Sequence, residues 1–332
     1  MKKLTLATAA FLAATAATAQ ETPLWVRGTA ISPDGNTIAF TYKGDIYTVP
    51  ATGGRATRIT VSPAVDANPF FSPDGRRLVF NSNREGSHDI YVVAATGGTP
   101  VRLTTHSGAE SARGWLNDST VIFSADIMPS VSDLNGPFFN QTYCVADTAG
   151  SRPRMLQSLA MQSLDVNPAG DIVFQNRKSF ENLFRKHEVS SGTPDVYLLR
   201  DGEFTRLTTG EGSFRNPVWL GADGTRYAYT AEGDSAGALN VYTATVGVPG
   251  STRLTAFDEH PVRYLSASAD GKRLAFCHDG AVYTLTPGEE PRKVDIEVVA
   301  DNYDGDHLRS IVTGGADNMA VAPSGEQVAF TY

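Results

Sequence analysis

The chain has 332 residues, with 36 acidic and 28 basic side chains, 41% hydrophobic and 9% aromatic residues, 31 glycines and 18 prolines. This composition excludes a disordered or collagen-like polymer, and the length exceeds one ordinary compact core unless the fold is modular. A formal net charge of −8 without a basic stripe excludes a nucleic-acid footprint, and two cysteines cannot make a disulfide scaffold.

The first feature in chain order is an export signal. Met1 to Gln20 carries Lys2 and Lys3, a small and apolar stretch, then Ala17-Thr18-Ala19, the pattern cut by signal peptidase. Residues 1–19 are expected to be removed after Ala19, leaving an exported, periplasmic chain. No later apolar run approaches the ~18 residues of a membrane span.

Internal repetition then sets the fold. Ala30-Ile-Ser-Pro-Asp-Gly-Asn-Thr-Ile-Ala-Phe40 and Phe70-Phe-Ser-Pro-Asp-Gly-Arg-Arg-Leu-Val-Phe80 are one unit shifted by 40 residues. Degraded copies end at Phe123, Phe174, Tyr229 and Phe276, and another begins near Ala320. In Ser-Pro-Asp-Gly, proline presets φ, aspartate bonds backbone two residues on and glycine supplies positive φ, so the box is a hairpin turn. Downstream of each turn come a strand with the pattern Asp45-Ile-Tyr47 and another with the pattern Arg58-Ile-Thr60. Four short antiparallel strands per ~40–50 residues give the blade of a β-propeller. The expectation is an all-β, six-bladed propeller over 20–298, a linker over 299–313, and over 314–332 a truncated first hairpin of a second propeller. Val294-Asp-Ile-Glu-Val298 reads as one more strand, able to open a seventh blade or the second propeller.

The turn box with its Asp-Ile-Tyr and Arg-Leu-Thr strands resembles the propeller repeat of TolB and of tricorn-type proteases across the mature chain. Pro23-Leu-Trp-Val-Arg27 leading into Ala30 is similar to the start of exported tricorn-like peptidases of the S41 family. Ser179-Phe-Glu-Asn-Leu-Phe-Arg-Lys-His187, followed by Ser190, Ser191 and Asp195, is similar to their first-propeller insertion; Glu188 and Pro194 depart from its pattern. The resemblance implies a non-catalytic N-terminal propeller that scaffolds or gates peptide access to a catalytic domain beyond residue 332. The implied partners are peptide substrates and the protein's own PDZ and catalytic domains. A free-standing TolB-like protein-binding propeller is the alternative, and the propeller of a prolyl-oligopeptidase-type enzyme is a third reading.

The residues themselves offer no catalytic constellation: S-x-x-K, H-E-x-x-H and phosphate-loop patterns are all missing. No cofactor or metal is expected, and Asp301–Asp306 reads as a solvated linker because Tyr303 and Gly305 break the calcium-loop order. Cys144 and Cys277 fall in units three and six, across the ring, and are expected to be free and buried. The informative departures are two insertions, with 20 residues from Phe123 to Tyr143 and 23 from Phe174 to Tyr197, against 7 from Phe40 to Tyr47. They lie between second and third strands of adjacent blades and so emerge on one face. Phe138 and Phe139 in the first, and Arg185, Lys186 and His187 in the second, are the candidate binding residues. Long loops on a rigid scaffold carry contacts, and the basic trio suits a carboxylate.

Overall fold

The computed structural model describes residues 20–125, 141–178, 190–233, 237–299, 317–325 and 327–331. The chain divides into two compact units, Met1–Val299 and Ala300–Tyr332.

The first unit is a six-bladed β-propeller, each blade a four-stranded antiparallel sheet. The first blade runs from an inner strand, Arg27–Ile31, through Thr37–Tyr42 and Asp45–Pro50 to a two-residue outer strand, Thr57–Arg58. The inner strands of the other blades are Asp66–Phe71, Glu110–Asn117, Met161–Val166, Phe214–Trp219 and Arg263–Ala267.

The repeated residues have identifiable physical tasks. In the first turn box, Gly35 has φ 73° and the Asn36 amide donates to Asp34 Oδ1 at 3.0 Å, while the Thr37 amide donates to the Ser32 hydroxyl at 2.9 Å. The Ser32 hydroxyl also donates to Asp34, and these bonds hold that carboxyl below its ordinary range. The aromatic that closes the second strand faces the tyrosine of the third. Phe40 stacks on Tyr47 at 5.7 Å, Phe80 on Tyr91 at 6.0 Å and Phe276 on Tyr283 at 5.8 Å. Phe40, Phe80, Phe123, Phe174 and Phe276 are among the largest fully buried side chains, and the core lies between blades. Replacing one by alanine would cost about 3–5 kcal/mol.

The Asp-Ile-Tyr and Arg-Leu-Thr motifs turn out to be two halves of one tie. Asp45 pairs with Arg58 at 2.5 Å, Asp89 with Arg102 at 2.8 Å and Asp195 with Arg206 at 2.8 Å. The amides of Ile46, Ile90, Val196 and Val241 donate to the hydroxyls of Thr60, Thr104, Thr208 and Thr255 at 2.9–3.0 Å. An outer strand only two residues long in several blades has too few ladder bonds to hold itself, and this charge-assisted tie fixes it. In the fifth blade Asn240 replaces the aspartate and accepts from Thr255 at 2.8 Å, so the geometry survives loss of the charge.

Val294–Val298 opens no further blade within this unit. Its strand, Ile296–Val299, pairs in parallel with Gly54–Arg55 of the first blade and antiparallel with Gln20–Glu21. Ile296 and Val298 are buried and Glu297 between them is exposed, the alternation of a strand with one covered face.

In the second unit, Asp317–Val321 and Val328–Thr331 form a hairpin around Ala322-Pro-Ser-Gly325, with the Ala322 amide donating to Gln327 O at 2.9 Å. Asp301–Asp306 lies outside the described residues. Among the described residues no helix is long and apolar enough to cross a membrane.

Candidate functional site: the central cavity and the roots of two insertions

The inner strands surround a cavity of about 1030 Å3. Each of the six breaks register against its neighbour, as between Arg27 and Ala30, Ala67 and Phe70, or Arg263 and Ser266. Four breaks are made by residues with left-handed backbone: Gly28 at φ 60°, Asn68 at 55°, Asn216 at 49° and Tyr264 at 55°. Glycine and asparagine adopt that region at little strain, whereas tyrosine does not, so Tyr264 is held there by its surroundings. Its carbonyl accepts from the Thr29 hydroxyl at 3.1 Å across the junction of the sixth and first blades. At Gly28 a Cβ would sit 3.2 Å from Thr41 Oγ1 and 3.3 Å from Asn68 Cα of the second blade, so a side chain there would push its neighbours by a few tenths of an ångström.

The walls combine apolar side chains, among them Phe70, Trp115, Leu164 and Val218, with a few ionisable groups. Trp115 donates its indole N–H to Phe70 O at 3.1 Å, and Trp219 donates to Asp171 O at 3.2 Å, each stapling its blade to the preceding one. Asp165 accepts from the Trp219 amide at 2.8 Å and the Val166 amide at 3.0 Å; burial outweighs these bonds and pushes its carboxyl up to about 6. Arg113 donates Nε to the Ser124 hydroxyl at 2.9 Å. Burial, reinforced by the nearby Arg177 charge, pulls it down to about 10, so it remains a cation at neutral pH.

The candidate binding residues Phe138, Phe139, Arg185, Lys186 and His187 all lie outside the described residues. What the structure places are the roots of their segments. Ala125, where the first segment departs, pairs with Glu110 at the start of an inner strand, and Asn176, near the second departure, pairs with Met161 at the start of the next. Arg177, at the second root, lies within electrostatic reach of Arg113 on the cavity wall. Both roots therefore stand on one face beside the cavity, as the strand order requires. Lys178 is committed to Asp195 at 2.5 Å.

The remaining titratable groups are scattered. His278 stacks on Phe257 at 3.7 Å, and burial lowers it from the ordinary histidine value. Among the described residues no three His, Cys, Asp or Glu side chains converge to hold a metal. Cys144 and Cys277 are free and buried.

Arg113, Asp165 and Glu110 escaped the reading of the sequence. The signal was present in a copy-by-copy alignment. Asp165 stands in the ladder position held by Ala30, Phe70, Gly114, Val218 and Ser266 in the other blades. A carboxylate at a position otherwise small, apolar or neutral marks a local departure from the scaffold.

Residues 24–291 match the family model of the tricorn protease N-terminal β-propeller domain. Tricorn protease homolog 1 of Streptomyces coelicolor is 28% identical over 280 residues, covering 80% of this chain and 24% of that relative. The crystal structure of the tricorn protease superposes with a TM-score of 0.67 at 20% identity, over 93% of this chain and 29% of that one. A putative TolB from Agrobacterium tumefaciens has a TM-score of 0.53 at 18% identity, over 70% of this chain and 81% of that one. The chain spans about a quarter of the length of the tricorn relative it matches.

Proposed function

The chain belongs to the family of tricorn protease N-terminal β-propeller domains, and from that membership we propose that it is the non-catalytic front propeller of a longer, exported tricorn-like serine peptidase of the S41 family. In this role it scaffolds or gates peptide access to a catalytic domain beyond residue 332. The observation that carries the proposal is the family match across the whole ring, 24–291, joined to a relative of which the chain spans only 24%. The signal-like segment before Gln20 supports export to the periplasm.

The hairpin of the second unit supports a second propeller. Its pairs Asp317 with Thr331, Ala320 with Ala329 and Val321 with Val328 repeat those of Arg27 with Thr41, Ala30 with Ala39 and Ile31 with Ile38. Asn318 has φ 56° where Gly28 has 60°, so even the bulge recurs. A TolB-like protein-binding propeller is the second reading, favoured by the TolB likeness over most of both chains.

The peptide reading is tested in the full-length protein by replacing Arg185 and Lys186 with alanine. A fall in peptide turnover or in association of the downstream domains is expected; unchanged turnover together with unchanged association removes the insertion from the path.

A further inference from the structure

Five junctions of the ring are covalently continuous, because the outer strand of one blade leads into the inner strand of the next. The junction between sixth and first blades has no such link, and no four-stranded sheet borrows a strand from the opposite end of the chain. Near the cavity this junction is held by hydrogen bonds. The Val26 amide donates to Gly280 O at 3.0 Å, the Ile31 amide to the Ser266 hydroxyl at 3.0 Å and the Ala269 amide to Pro33 O at 2.8 Å.

Further out lies the three-stranded sheet of Gln20–Glu21, Ile296–Val299 and Gly54–Arg55. The Gly54 amide donates to Asp295 O and the Ala56 amide to Glu297 O, both at 2.8 Å. Gly53 makes the approach available: its φ is 95°, and a Cβ there would lie 2.7 Å from Asp295 O. The second blade repeats the same turn as Ala95-Thr-Gly-Gly98, with Gly97 at φ 91°. Among the described residues nothing comparable docks there; a Cβ on Gly97 meets Ile59 O at 3.7 Å. The same local turn is thus bare in one blade and occupied in the other.

We propose that this sheet is the lock of the ring, a conformational device through which the docked strand Ile296–Val299 governs whether the junction of the sixth and first blades is shut. With Ile296–Val299 lifted from Gly54–Arg55, the outer edge of the junction loses its backbone pairing, leaving side-chain bonds such as Arg273 to Gly35 O and the inner hydrogen bonds, and the ring parts sideways into the central cavity. The inference rests on the strand pairing and stands apart from the peptide reading.

A reporter is built into the junction. Cys277, on the sixth blade, lies 3.5 Å from Thr29 Oγ1 and 3.5 Å from Val26 O of the first, and it is buried. Cys144 is equally buried but belongs to the third blade. Labelling of the full chain with a thiol-reactive disulfide reagent, with Cys277→Ser and Cys144→Ser to assign the signals, reads the junction against an internal control. Gly53→Ala is expected to speed Cys277 labelling by about tenfold or more while leaving Cys144 unchanged, since local opening exposes only its own junction. Gly97→Ala, which imposes the same turn strain without touching the lock, is expected to change neither. Val298→Asp, on the buried face of the docked strand, is a second route to the same opening should Gly53→Ala fold poorly. Equal acceleration of both thiols, no acceleration of Cys277 in folded Gly53→Ala and Val298→Asp, or the same effect from Gly97→Ala would overturn the proposal.

Discussion

Two neighbouring junctions of the ring solve the same electrostatic problem differently. Between the first and second blades, buried Asp45 and Asp66 face Arg58 and Arg84; Arg84 grips both oxygens of Asp66 at 2.9 and 3.0 Å while lying over the rings of Phe80 and Tyr91. Between the second and third blades, buried Asp89 and Glu110 face Arg102, which pairs with Asp89. Glu110 accepts from the Thr104 hydroxyl through one oxygen, and its other oxygen is buried without a hydrogen-bond partner. Burial, with the Asp89 charge added, pushes the Glu110 carboxyl up to about 7. A carboxylate introduced with its own arginine is neutralised within its blade; one introduced without it becomes a titrating group at the junction.

The largest effect should come from breaking the matched junction. Arg84→Ala leaves Asp66 buried and uncompensated, and an equilibrium urea titration should show a loss of about 3–5 kcal/mol. A loss no larger than that of an exposed arginine would mean that Asp66 is rehydrated and the junction is looser than described.

The unmatched junction predicts the opposite sign. The folded-state value of Glu110 is raised above its ordinary 4.5, so its contribution to stability is full below that value and is lost as pH rises through about 7. Glu110→Gln removes this loss. The variant should equal the wild type near pH 4 and exceed it above pH 7 by on the order of 2 kcal/mol, read from unfolding midpoints across pH. A variant less stable than wild type at pH 8 would show that the ionised side chain has a partner after all.

The smallest effect sharpens the contrast. Asp89→Asn imitates the fifth blade, where Asn240 already serves, and should cost only about 1 kcal/mol. Because the Asp89 charge helps hold Glu110 up, the same substitution should move the pH-dependent loss to lower pH. An unmoved transition would separate the two carboxyls.

The ring was legible in the sequence because its turn chemistry is local. Pro33, Asp34 and Gly35 act within a few residues of one another, and the spacing from Phe40 to Tyr47 is a hairpin whose two aromatics meet in register. The junction chemistry was not legible because it joins distant residues. Nothing near Val294–Val299 says that its partner is a two-residue stretch at Gly54, more than two hundred positions earlier, and its alternation suits any edge strand. Glu110 and Asp165 sit in the degraded copies, where the conspicuous box no longer guides the eye. The insertions were legible as insertions, by length alone, and their candidate residues lie outside the described part of the chain.

In the proposed function the recurring residues build a scaffold and carry no peptide chemistry of their own. This is tested most directly by incubating purified residues 20–332, freed of contaminating proteases, with a panel of fluorogenic peptides. The account predicts no hydrolysis beyond the rate of buffer alone; turnover that scales with the concentration of this chain and survives further purification would contradict it.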